Sequence, residues 1–229
     1  MSKLPYLVAE INAALEVYIS GRTGQQYNRT AFILCDDGAE LASKLFLIRD
    51  APGWSDTKAN RYFKNFKEVT AEVRAVFQAK RPGDHVAADA VLTKIEARRE
   101  RRNKFFHSTH LLDLNFHARD CVEAFCDLLD YGKLLFPPDP ADPGSGWEAT
   151  VAAAGNMETC EALIRLDRKT YGDPSVGPKV NDVLAKWPRN SPEPKKKGCE
   201  VAHYAEDMHL RLAIRNGGNQ LRDKLRALL

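Results

Sequence analysis

The sequence predicts an all-α protein, an antiparallel helical bundle followed by additional C-terminal helices, and two observations support this prediction. Apolar residues recur at intervals of three and four along most of the chain, which is the spacing of amphipathic helices. Prolines and glycines are grouped between these segments, and no stretch shows the strict alternation typical of a half-buried strand. Short connections between successive long helices indicate that neighbours in sequence pack antiparallel.

Five helices are predicted before the first long break in the pattern. They cover residues 4–19, 28–48, 61–78, 85–107 and 117–136. Glycines after Ile19, Ala51-Pro52-Gly53 and Arg81-Pro82-Gly83 end the first three. Asp84 is placed to cap the fourth helix. Residues 108–115 are compatible either with a bend or with a continued helix.

Residues 137–146 are the clearest boundary in the chain, because a segment rich in Pro, Asp, Gly and Ser does not form a packed element. We therefore predict a helical bundle over 1–136, a linker over 137–146 and a C-terminal helical extension over 147–229. Within the extension, helices are predicted over 147–171, 178–187, 201–214 and 219–229, with an exposed loop over 188–198 and Gly217-Gly218 between the last two helices.

Composition narrows the class of protein. The 229 residues have a net charge of only +3 and contain five cysteines at unpatterned positions, which argues against a disulfide framework. The sequence has no run of about eighteen apolar residues that would span a bilayer, and its start lacks the apolar region of a secretory signal. These features favour a cytoplasmic protein without a membrane segment.

Positive charge is concentrated at the end of the fourth predicted helix. Between Lys94 and Lys104 there are six basic and two acidic residues, and Arg102, Asn103 and His107 follow one another closely there. Such side chains suit metal-free RNA cleavage, in which the 2′-hydroxyl attacks the adjacent phosphorus. An imidazole moves protons near neutral pH, and a guanidinium stabilises charge on the phosphate oxygens. The stretch is therefore a candidate catalytic site.

The spacing of these residues limits how they can cooperate. Arg102 and His107 are five apart, so on a regular helix they point about 140° away from each other. Either the helix ends or bends near Phe106, or a second chain completes the site. Asn103 and His107 are four apart and share a face, which would let the amide orient the imidazole. The competing interpretation is a solvated basic helix end, whose cations are favourable at a helix C-terminus.

The hexapeptide Arg102-Asn103-Lys104-Phe105-Phe106-His107 resembles the signature of HEPN (higher eukaryotes and prokaryotes nucleotide-binding) domains: arginine, a polar residue, three residues of any kind and histidine. The resemblance covers residues 4–136. It implies a metal-independent endoribonuclease that leaves 2′,3′-cyclic phosphate ends, works as a homodimer with a composite site, and serves as a toxin or in antiphage defence.

The resemblance also implies roles for individual residues. His107 would transfer protons, Arg102 would stabilise the transition state, and Asn103 would orient the imidazole. The basic neighbours predicted to bind the RNA backbone are Arg98, Arg99, Arg101 and Lys104. RNA, a second copy of the chain and an antitoxin or regulatory protein are the implied partners, and no cofactor is expected.

Two alternatives stay open at the level of sequence. The first is a non-catalytic HEPN-like module that binds RNA, a nucleotide or a partner nucleotidyltransferase-like protein. The second, a metal site at His107, His110 and His117, is disfavoured, because no continuous helix puts all three on one side and no set of cysteines or carboxylates completes it. No metal is therefore predicted.

Overall fold

A computed structural model describes residues 3–22, 27–61, 65–107, 118–186 and 199–229, and for 60–61, 104–107, 199–209 and 211–212 it describes the backbone only. These ranges contain ten α-helices: α1 (Leu4–Ser20), α2 (Asn28–Asp50), α3 (Asp56–Arg61), α4 (Phe66–Lys80), α5 (His85–His107), α6 (Ala118–Leu135), α7 (Gly146–Ala153), α8 (Met157–Gly172), α9 (Val176–Ala185) and α10 (Cys199–Arg226). A short 3₁₀ turn, Pro82–Asp84, leads directly into α5.

The predicted all-α class is confirmed. About 83% of the described residues are helical, and these residues form no β-strand, although an isolated bridge joins Asp139 to Asp142. Within those ranges, every helix is too short or too polar to cross a membrane. The fold therefore agrees with the helical period of the apolar pattern.

Three predicted boundaries differ from the structure. The third predicted helix, 61–78, is found as a short α3 and a separate α4, with 62–64 outside the described residues. The single helix predicted over 147–171 is two helices, because Gly155 adopts a left-handed φ of 66° between them. Conversely, the last two predicted helices run together as α10, with a kink at Gly218 where φ is 47°. The predictions for 108–115 and 188–198 lie outside the described residues.

Helix α2 is the centre of the bundle, since it contacts α1, α4, α5 and α6. Its side chains fill the core, as the stacked rings of Phe46 and Phe77 show at a centroid distance of 5.2 Å. Gly38 allows the close approach of three helices, because a Cβ there would lie 3.2 Å from Ile11 and 3.3 Å from Leu128. Burial of this wide apolar face is the main stabilising force for α2.

The residues after the predicted linker pack onto the bundle. One hydrophobic core contains buried residues from both sides of 137–146, including residues of α6 and α8, which contact each other. Trp147 lies against Gly132, where an added Cβ would be 2.6 Å from the indole ring, and its backbone N–H donates to the carbonyl oxygen of Phe136 at 2.7 Å. The C-terminal helices therefore share the core of the bundle.

Candidate functional site

Helix α5 positions the whole candidate site. It begins at His85, directly after the 3₁₀ turn, and its backbone stays helical through His107. Helix α5 is described as far as His107, one residue after Phe106, and on its regular backbone Arg102 and His107 are about 140° apart. Arg102 and Asn103 have described side chains, whereas the side chains of Lys104 and His107 lie outside what the structure describes.

Arg102 is turned inward, towards two aspartates of α2. Its Nη2 donates to Asp37 Oδ1 at 2.8 Å, and its Nε lies 3.2 Å from Asp36 Oδ2. A third nitrogen, Nη1, donates to Asn103 Oδ1 at 3.3 Å, so the predicted orienting residue contacts the guanidinium itself. Only 17% of the Arg102 side chain is exposed, whereas Asn103 is exposed. These contacts hold the fork of Arg102 in one orientation.

The neighbouring arginines of α5 also face carboxylates. Arg99 pairs with Glu40 at 2.5 Å and lies over the ring of Phe66, with its Cζ 4.4 Å from the centroid. The other two described arginines of the basic run pair with α6: Arg98 with the buried Asp127, and Arg101 with Asp120 at 2.8 Å. The four described arginines of the basic run therefore do not form a free cationic surface, because acids of α2 and α6 pair with them.

Asp36 is the most perturbed of these acids. Its side chain is 3% exposed and lies between Arg102 Nε and Arg99 Nη1, the latter at 3.4 Å. Neither carboxylate oxygen accepts a well-formed hydrogen bond within the described part of the chain. Burial raises the pKa of Asp36 to about 6, and the two guanidiniums only partly oppose this rise. The carboxylate thus contacts two cations without the hydrogen bonds that would fully compensate its lost hydration.

The sequence prediction missed the acidic half of this cluster. It named Arg98, Arg99, Arg101 and Arg102 but not their partners, which are Asp36, Asp37, Glu40, Asp120 and Asp127. A signal was present in α2, where two aspartates and a glutamate at relative positions 0, 1 and 4 interrupt a strongly apolar helix. The two mostly buried acids among them, Asp36 and Glu40, require partners, and the arginine-rich α5 could supply them.

The described residues contain no cluster suited to a metal ion and no exposed thiol. No group of three or more histidine, cysteine, aspartate or glutamate side chains with metal-binding geometry occurs among them. The four described cysteines, Cys35, Cys121, Cys126 and Cys160, are buried and free, and burial raises the pKa of each thiol. His110 and His117 lie outside the described residues.

Comparison of the chain with protein-family models, with curated proteins and with solved structures found no match. Any function inferred for the protein therefore rests on its fold and on the charge cluster between α2, α5 and α6.

Proposed function

We propose that the protein is a metal-independent endoribonuclease of the HEPN type that cleaves RNA at a composite homodimer site. The observation that supports this most directly is the placement of Arg102 and Asn103. They lie next to each other on an uninterrupted helix that leads to His107, and Asp36 and Asp37 hold the guanidinium by its Nε and Nη2. A fixed cation of this kind can stabilise the charge that develops on a phosphate.

In the proposed reaction, the 2′-hydroxyl of RNA attacks the adjacent phosphorus and the 5′-oxygen of the next nucleotide leaves. One His107 imidazole accepts the proton of the hydroxyl, and a second donates a proton to the departing oxygen. Two copies of the motif would supply both imidazoles. The products are a 2′,3′-cyclic phosphate and a 5′-hydroxyl, and a role as a toxin or in antiphage defence would use this activity.

A surface on α2 supports the dimer. Leu34 and Leu41 are exposed at 37% and 43%, and with Asp37 between them they occupy one face of the helix at intervals of three and four. Because Asp37 binds Arg102, this apolar face is continuous with the candidate site. Replacement of Leu34 and Leu41 by glutamate should shift a dimer to monomer in sedimentation experiments, whereas glutamate at the 77% exposed Val86 should not.

The decisive experiment is RNA cleavage in EDTA by wild type and by His107→Ala. We expect wild type to cut a pool of tRNA, rRNA and mRNA, and His107→Ala to lose at least about 100-fold in rate, because general acid–base catalysis contributes roughly 10²–10⁴-fold. A substrate with deoxyribose at the cleavage site should resist, since its 2′-oxygen is missing. Equal cleavage by the variant, or none by wild type, would refute the nuclease.

A second function is favoured by one specific observation. The arginines of α5 already have carboxylate partners in their own chain, which is the arrangement expected of a non-catalytic HEPN-like module that binds RNA, a nucleotide or a partner nucleotidyltransferase-like protein. Its prediction differs clearly from that of the nuclease: binding of RNA or of the partner survives His107→Ala, and no cleavage is seen with either protein.

A further inference from the structure

An exposed aromatic side chain and an arginine lie together at the end of the bundle where α5 ends. Tyr171 is the second-to-last residue of α8 and is 43% exposed, and the Cζ of Arg119, from the first turn of α6, lies 5.7 Å from the centre of its ring. Arg119 is itself exposed and forms no ion pair with any residue that the structure describes. The described arginines of α5, by contrast, pair with acids of α2 and α6.

The position of this pair relative to the candidate site follows from the contacts of α6. Asp120, the residue after Arg119, accepts two hydrogen bonds from Arg101 of α5, at 2.8 and 3.2 Å. His107 is six residues beyond Arg101, about 9 Å further along the helix axis towards the same end. Tyr171 and the motif helix therefore reach the same end of the molecule on neighbouring sides of α6.

The end of α8 is held firmly in place. Arg22 binds both oxygens of Asp167 with its fork, at 2.5 to 3.0 Å, and Tyr18 donates to the same carboxylate at 3.2 Å. Arg168 pairs with Glu123 of α6 at 3.1 Å. Tyr171 is one turn of helix after Asp167, so its ring is presented on a fixed support. Such preorganisation lowers the entropic cost of binding a flexible ligand.

From these contacts we propose that Tyr171 and Arg119 form a stacking site for an unpaired base of single-stranded RNA, so that a C-terminal helix helps to bind the substrate. An aromatic face accepts any base, and a neighbouring arginine adds cation–π attraction and a contact for the phosphate backbone. Bases within a duplex are already stacked and do not reach such a ring. The site thus selects single strands without selecting sequence, and this inference rests on the proposed RNA substrate.

The test measures RNA binding in the His107→Ala background, where the RNA stays intact. A fluorescent single-stranded oligonucleotide of mixed sequence is titrated at fixed salt. We expect Tyr171→Ala to raise the Kd about tenfold, and Tyr171→Trp to bind as tightly as the parent. Duplex RNA of the same sequence should bind the parent and Tyr171→Ala with equal affinity. Thermal unfolding of Tyr171→Ala shows whether the fold is intact, and the tryptophan variant tests the ring without removing it.

Tyr6 provides a matched control, since it is 72% exposed but lies in the first turn of α1, at the opposite end of the bundle from Arg22. Tyr6→Ala should leave the Kd unchanged. The inference is overturned if Tyr171→Ala binds single strands like the parent, if Tyr6→Ala weakens binding equally, or if duplex RNA loses as much affinity.

Failure of this inference is distinguishable from failure of the nuclease. If wild type cleaves RNA while Tyr171→Ala binds and cleaves normally, the stacking site is refuted and the nuclease stands. If wild type does not cleave but single-strand binding depends on Tyr171, the stacking site stands and the nuclease is refuted. If the protein neither binds nor cleaves RNA, both are refuted.

Discussion

Asp36 and Asp167 are two of the buried aspartates that contact arginines, and their contacts are built in opposite ways. Asp167 receives the fork of Arg22 and the hydroxyl of Tyr18, all at hydrogen-bonding distance. Asp36 is shared between Arg99 and Arg102 at 3.2 to 3.4 Å, without a well-formed hydrogen bond in the described part of the chain. The Asp167 carboxylate accepts hydrogen bonds from both of its partners, whereas the Asp36 carboxylate interacts with its arginines only through charge.

The difference suggests different roles for the two regions. A carboxylate with all its hydrogen bonds made is costly to displace, which suits a contact that joins α1 to α8. A carboxylate that lies further from two guanidiniums and forms no hydrogen bond with them is displaced more easily by another anion. If the proposed nuclease function holds, a phosphate would approach Arg102 beside the contact at Asp36, whereas the contact at Asp167 joins two helices as a structural support.

The largest expected loss of stability comes from removing the ion pair between Asp167 and Arg22. Asp167→Ala leaves the Arg22 guanidinium in a mostly buried position without its partner, and we expect the free energy of unfolding to fall by about 3–5 kcal/mol. Chemical denaturation measures this loss. Asp173→Ala is the control, because Asp173 is exposed and its side chain accepts hydrogen bonds only from the neighbouring Ser175, so this variant should lose far less stability than Asp167→Ala. Equal losses would mean that the carboxylate of Asp167 is no more important to stability than an exposed one.

Asp36→Asn tests how the contribution of Asp36 to stability depends on pH. The folded-state pKa of Asp36 is raised to about 6, above its ordinary value near 4, so folding favours the protonated form. Stability from this group is therefore present below about pH 4 and is lost as the pH rises to about 6, by up to about 3 kcal/mol. The amide that replaces the carboxyl in this variant does not titrate.

We accordingly expect Asp36→Asn to gain stability relative to wild type between about pH 4.5 and about pH 7.5. Denaturation of both proteins at the two pH values measures the change, and groups common to both cancel in the difference. A difference that is constant with pH, or that moves in the opposite direction, would show that the pKa of Asp36 is not raised.

The smallest expected effect on stability is that of Asp37→Asn. Asp37 is 49% exposed, and an ion pair of that kind contributes at most about 1 kcal/mol. Its removal should nevertheless strengthen RNA binding about threefold at fixed salt, because Arg102 Nη2 is released for a phosphate and a repelling charge is lost. Asp56→Asn removes an exposed acid that pairs with Lys3 and serves as the control. Equal effects of both variants would mean that Asp37 does not compete with RNA.

Much of the fold could be predicted because helical periodicity is a local property. The limits of α1, α5 and α6 agree with their predicted limits to within a single residue, and the kink of α10 falls at the predicted Gly217-Gly218. The break at Gly155 was missed, because a glycine within an apolar pattern is also tolerated inside a helix. The motif of the candidate site was visible for the same local reason, as its residues are consecutive.

The amino-acid sequence by itself determined the helical class, most helix limits and the basic run with Arg102 and Asn103 within it. Only the tertiary structure decided that acids from α2 and α6 neutralise this run, and that Tyr171 stands beside Arg119. These contacts join residues of different helices. A sequence pattern records which face of a helix is apolar, but which charges oppose each other depends on how those faces pack, and a single sequence does not encode that locally.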